Sequence, residues 1–126
     1  LVGRWFAHMP RGRFRHVAIA AAQPVRGEYP LGWLIHYLTG VSFAAILTAC
    51  WGPDWVRQPT LGPALIVGLG SVAAPFLLMQ PGMGAGVFAR LTPRPGAARL
   101  QSLVTHAMFG VGLYAAAWLT RLAVSP

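Results

Sequence analysis

The sequence contains no lysine, one aspartate (Asp54), one glutamate (Glu28) and one cysteine (Cys50). Each scarcity removes a class of function. Two isolated carboxylates leave little material for paired acid–base catalysis. A single cysteine forms no disulfide within the chain, so it gives no reading of the redox compartment, and a small apolar packing role suits Cys50. Charged residues make up 10% of the chain, against about a quarter in an ordinary soluble domain. The 15 glycines and 11 prolines follow no collagen period and lie in no polar tract, which excludes fibrous and disordered classes. No His-Glu-x-x-His, Gly-x-Ser-x-Gly or P-loop occurs, so an enzyme is not expected. Gly82-x-Gly84-x-Gly86 follows an apolar helix rather than a strand, so it fails as a phosphate loop.

What the sequence has instead is apolar length. Uncharged runs of 25, 32 and 21 residues separate Glu28 from Asp54, Arg57 from Arg90, and Arg99 from Arg121. About 20 such residues suffice for a helix to cross a hydrocarbon core roughly 30 Å thick. The runs predict three transmembrane helices, 31–51, 60–79 and 100–120. The expected fold is all-α: one polytopic helical membrane domain over 1–126. A water-soluble bundle would need polar outer faces that these runs lack. Trp33 and Trp51 are 18 residues apart, roughly 27 Å along a helix, which matches the two bilayer interfaces where aromatics collect.

All ten basic residues are arginine, and the net charge is +8. Residues 1–30 carry five Arg against Glu28, and 80–99 carry Arg90, Arg94 and Arg99. The 52–59 loop is neutral. Basic loops stay cytoplasmic, so 1–30 and 80–99 are expected to face the cytoplasm and to touch anionic headgroups. With the spans removed, no basic globular domain remains, so no nucleic-acid partner is expected. The expected partners are the lipid bilayer and, within it, a second copy or another membrane protein. Within 1–30, the stretch 13–23 predicts a short interfacial helix with Phe14, Val17, Ala18 and Ala21 on one face, closed by Pro24. Residues 87–91 are expected along the membrane surface. His8 and His16, close to arginines, read as interfacial and solvated.

Small residues four apart, Ala64-x3-Gly68 and Gly70-x3-Ala74, predict close helix packing in the second span. Pro75 predicts a kink near its end. His36 and His106 are each followed by x3-Gly, at Gly40 and Gly110, so each imidazole stacks near a glycine on its own helix face. They start about 7.5 and 9 Å into their spans at 1.5 Å per residue. Met79 and Gln80 end the antiparallel helix on the same side. His36, His106, Met79 and Gln80 therefore form the candidate ligand or proton-path set. Three readings compete: packing histidines, a proton or solute path, and ligation of haem or copper. Two histidines without thiolate or carboxylate do not make a zinc site, and no cofactor is required.

Several segments together carry a resemblance. They are Leu1-Val2-Gly3-Arg4-Trp5, Gly12-Arg13-Phe14, Pro24-Val25-x-Gly27-Glu28 and Gly32-Trp33-x-x-His36-Tyr37-x-x-Gly40. Pro59-Thr60-Leu61, Pro75-Phe76, Met79-Gln80-Pro81-x-Met83-Gly84 and His106-x-x-Phe109-Gly110-x-Gly112-Leu113-Tyr114 follow. The combination resembles domain of unknown function 2938, a family of short bacterial inner-membrane proteins. The resemblance implies an inner-membrane location and a four-helix topology, with one more hydrophobic helix ahead of Leu1. It implies no chemistry.

Overall fold

The computed structural model describes residues 1–124. Among them there are helices and turns and no strand. The chain begins with α1 (Val2–His8) and runs through irregular backbone to α2 (Glu28–Trp51). A short α3 (Pro53–Arg57) leads to α4 (Leu61–Gly70), a π-helical turn (Pro75–Met79) and α5 (Gln80–Met83). The last helix, α6, spans Pro95–Val124.

Three stretches are long and apolar enough to cross a membrane: Glu28–Trp51, Leu61–Met83 and Pro95–Val124. They match the expected spans 31–51, 60–79 and 100–120, each running past at least one end of its span. The first begins three residues before Leu31. Glu28 in the first turn suits the positive end of the helix dipole, and Pro30 is tolerated where backbone N–H groups lack helical partners. Gly27, at φ +85°, makes the tight turn that enters it. Only 6% of the apolar window of α2 is buried inside the protein, and Leu34, Tyr37, Leu38 and Val41 are all exposed. In water such a face would be a large apolar patch; in lipid it is ordinary. The span hydroxyls are satisfied accordingly. Thr39, Thr105 and Thr120 donate to the carbonyls of Ile35, Gln101 and Ala116 at 2.7, 2.8 and 2.9 Å, each four residues back in its own helix.

The second span is interrupted. The N–H of residue 75 would reach the Ser71 carbonyl in a continuous helix, but proline has none and its ring crowds that carbonyl. The ladder accordingly loosens at Ser71–Val72. It resumes through a wider turn in which the Gln80 N–H reaches back five residues to Pro75 O. Single π turns of this kind are rare interruptions of α-helices.

The chain is organised in two compact units. One comprises Leu1–Thr39 and Ala73–Leu100; the other comprises Gly40–Val72 and the chain from Gln101 on. The second unit centres on Leu47, Trp55, Ala64, Val67 and Ala117, with Phe43, Leu113 and Tyr114 against them. Trp55 closes its end, and its indole N–H donates to Thr60 O at 3.1 Å.

The first unit overturns two expectations. The stretch 13–23 is not a helix; it contains only a single 3₁₀ turn, Ile19–Ala21, and Val17 is 98% exposed. Its backbone groups are taken by distant partners instead. Arg4 Nη1 donates to Ala20 O and Ala22 O, Trp5 Nε1 to Phe14 O, and the His16 N–H to Gly82 O. A local propensity of this size yields to such tertiary contacts. His8 is not solvated either: it is 2% exposed, enclosed as this segment folds back. Residues 87–91 hold a short 3₁₀ turn, Val87–Ala89.

Because His16 bonds to Gly82, residues 1–30 and 80–99 share one side of any bilayer the helices cross. Arg13→Cys and Arg94→Cys, each in a Cys50→Ser background, are expected to react with an impermeant maleimide from the same side of sealed membranes. Labelling from opposite sides would contradict this arrangement.

Candidate functional site

Small residues let α4 and α6 approach within the second unit. A Cβ on Gly68 would lie 2.5 Å from Gly110 Cα and 2.8 Å from His106 O. A Cβ on Gly110 would lie 2.8 Å from Ala64 O. Backbone meets backbone here, and hydrogen is the side chain that fits. Gly40 meets only the Phe109 ring, at an ordinary 3.8 Å, and nothing lies within 4 Å of a Cβ on Gly70. Ala74 is half-buried just ahead of the π turn.

This close crossing sets His106 against Ser71. The Ser71 hydroxyl, 3% exposed as a residue, donates to Gly68 O at 2.6 Å and lies 2.6 Å from His106 Nδ1. A hydroxyl carries one proton. If Ser71 spends it on Gly68 O, then Nδ1–H of His106 donates to Ser71 Oγ, and Nε2 becomes the proton-accepting nitrogen. Ser71 was not among the sequence candidates. Its signal was available: it lies inside the second span, eight residues from Met79, at a depth close to that of His106 in the antiparallel helix.

His36, Met79 and Gln80 belong to the first unit, whereas His106 belongs to the second. His36 is exposed on α2 within an aromatic face. Its ring centre lies 5.8 Å from those of Trp33 and Tyr37, and Tyr29 continues the face at 6.4 Å from Trp33. With Glu28, Gly32 and residues 1–3 it lines an open groove of about 340 Å³. Met79 closes the π turn and Gln80 opens α5; both are half-buried.

The first unit also holds a polar knot. Arg4 grips Glu28 with both ends of its fork, Nε to Oε2 at 2.8 Å and Nη2 to Oε1 at 2.7 Å. The Val25 N–H also donates to Glu28 Oε2 at 2.9 Å. The hydrogen bond to Glu28 holds the Arg4 guanidinium above its ordinary pKa. A Cβ on Gly3 would overlap Glu28 O, so α1 rides directly on the first turn of α2. Gly84, at φ +93°, packs against the Val17 carbonyl, where any side chain would collide. Sequence reasoning missed this knot because its ion-pair partners are 24 residues apart and follow no period.

A profile of the family described as "Protein of unknown function (DUF2938)" matches residues 1–120. The chain belongs to this family. Several segments that carried the likeness lie at close contacts within their own units: Gly3-Arg4-Trp5, Gly27-Glu28 and the Met83-Gly84 turn in the first, and His106 with Gly110 in the second. No curated protein and no solved structure matches the chain.

Proposed function

We propose that this family member is a multi-pass protein of a bacterial inner membrane that passes protons or a small solute, with His106 as the group that takes up a proton. Residues 1–30 and 80–99 face the cytoplasm in this reading. The supporting observation is the 2.6 Å contact between Ser71 Oγ and His106 Nδ1. A neutral imidazole that donates Nδ1–H in this contact would present Nε2 as a base inside a span. Imidazole titrates near neutral pH, and an ionisable group within a span is a functional candidate because its burial is costly. The loosened ladder at Ser71–Val72 adds a backbone carbonyl freed by Pro75 close to the same place.

Proteoliposomes carrying a pH-sensitive dye test this reading. Proton or solute flux is expected to fall at least about tenfold in His106→Ala, in line with the loss of a positioned acid–base group. Flux that is unchanged in a His36→Ala/His106→Ala double variant would reject it. The same preparation discriminates the cofactor alternative. A Soret band or bound copper lost with His36, His106, Met79 or Gln80 would replace the proton reading with a redox one.

A second reading, a structural subunit of a membrane assembly, is favoured by the exposed face of α2. Lipid covers such a face as well as protein does, so this reading ranks behind the first.

A further inference from the structure

His8 and His16 pose a problem that packing does not solve. His8 is 2% exposed. Its Nε2 lies 3.0 Å from Gln23 O. A carbonyl only accepts, so the proton sits on Nε2 and Nδ1 keeps a bare lone pair. That Nδ1 is buried without a hydrogen-bond partner, and so is Nε2 of His16. The two rings are neighbours, with centroids 5.2 Å apart and planes tilted by 60°. Buried polar nitrogens are nearly always satisfied, and an orphaned pair requires an explanation.

A shared N–H···N bond between the rings would satisfy both, but neither nitrogen has such a partner. A lone pair calls for an electrophile. We infer that His8 Nδ1 and His16 Nε2 are two ligands of a copper ion held on the 1–30 side of the protein. Three observations carry this.

The first is distance. A late transition ion sits about 2.0–2.1 Å from an imidazole nitrogen, hence about 3.2 Å from the ring centre. Two rings 5.2 Å apart then subtend about 110° at the ion, so two imidazoles can share it side by side, about 20° wider than the right angle of a regular tetragonal copper site. The second is orientation. The His8 Nε2–H bond to a backbone carbonyl is the outer-shell contact that fixes the tautomer and the ring plane of metal-bound histidines. Backbone holds the partner too: the His16 N–H donates to Gly82 O at 2.8 Å, and a Cβ on Gly84 would lie 2.8 Å from His16 O.

The third is donor chemistry. No third His, Cys, Asp or Glu joins the pair among the described residues. A hard divalent ion would need carboxylates, and a structural zinc site would need four protein ligands. An all-imidazole pair is left to the ion highest in the affinity order for nitrogen donors, which is copper. Water or a small exogenous ligand completes the coordination. This pair is separate from His36 and His106, so it stands whether or not the proton reading does.

The test uses the full chain in detergent, stripped with a chelator and titrated with cupric ion. One copper per chain is expected to survive desalting, with nitrogen hyperfine structure in its electron paramagnetic resonance spectrum. His8→Gln and His16→Gln should each weaken retention about 10- to 100-fold, and His36→Gln should leave it unchanged. Equal retention in both His8→Gln and His16→Gln overturns the assignment. The wild-type protein gives a check that needs no variant. Cupric ion should selectively broaden the nitrogen resonances of His8 and His16 in ¹⁵N-histidine-labelled protein. Broadening confined to other histidines, or no broadening at all, also overturns it.

Discussion

Enlarging Gly110 to leucine is expected to unfold the second unit or drive its helices apart. A Cβ there already lies 2.8 Å from Ala64 O and 3.2 Å from Leu65 Cα, and leucine adds three more carbons. Overpacking a close-packed site costs typically 1–3 kcal/mol, and more where the obstacle is backbone. The obstacle here is the α4 main chain, so a loss of about 3 kcal/mol or more is expected. Gly68→Ala should act in the same direction with a smaller effect, because its Cβ meets Gly110 Cα at 2.5 Å. The better helix propensity of alanine, worth about 1 kcal/mol, does not offset that collision. Thermal unfolding in detergent measures both. Gly112→Ala and Gly62→Ala are the controls, since nothing lies within 4 Å of either added Cβ; they should be neutral or stabilising. If Gly110→Leu melts like those controls, the α4–α6 crossing is wrong. Separation of these helices should also break the Ser71–His106 contact, so flux should fail along with stability.

The second large effect is expected from Trp5→Ala. Trp5 is 8% exposed, and its indole N–H donates to Phe14 O at 2.8 Å. A Cβ on Gly82 would lie 2.6 Å from Trp5 Cζ2, so the ring is pressed onto the backbone of α5. Removing a buried tryptophan typically costs 3–5 kcal/mol. Trp5→Phe keeps most of the apolar contact and loses the hydrogen bond, a net effect nearer 1 kcal/mol. The readout is local, because Trp5 ties residues 1–30 to the segment around Gly82. Limited trypsin digestion at the exposed Arg11, Arg13 and Arg15 should speed up sharply in Trp5→Ala and slightly in Trp5→Phe. Gly82→Ala alone should also destabilise, yet it should cost little in the Trp5→Ala background, where the ring it collides with is gone. Independent, additive effects would show that Trp5 and Gly82 do not touch.

The spans were legible because an uncharged run of about 20 residues without alternation, placed in a bilayer, satisfies its backbone as a helix rather than as a barrel strand. The ends were less legible. Glu28 reads as a boundary on charge, yet the helix takes it in because the first turn welcomes a carboxylate and Arg4 neutralises it. Pro75 announced a disturbance, but the position of the break follows from which carbonyl loses its donor. That carbonyl belongs to Ser71, four residues earlier. The 13–23 stretch misled because its apolar spacing satisfies a helix, while its carbonyls are claimed by Arg4 and Trp5 from α1. Such long-range claims leave no periodic trace. Of the candidate site, His106 was visible as a polar residue in an apolar run. His8 looked ordinary beside arginines, since sequence gives no sign that a loop will close over it.

The grip of Arg4 on Glu28 has an electrical consequence. It cancels one of the two carboxylates, and Asp54 is likewise matched by Arg57 at 2.9 Å within α3. The protein therefore presents a field of a single sign, made wholly of guanidinium groups that stay charged throughout the physiological range. Acetylation, the usual means of erasing positive charge, acts on side-chain amines, and this sequence has none.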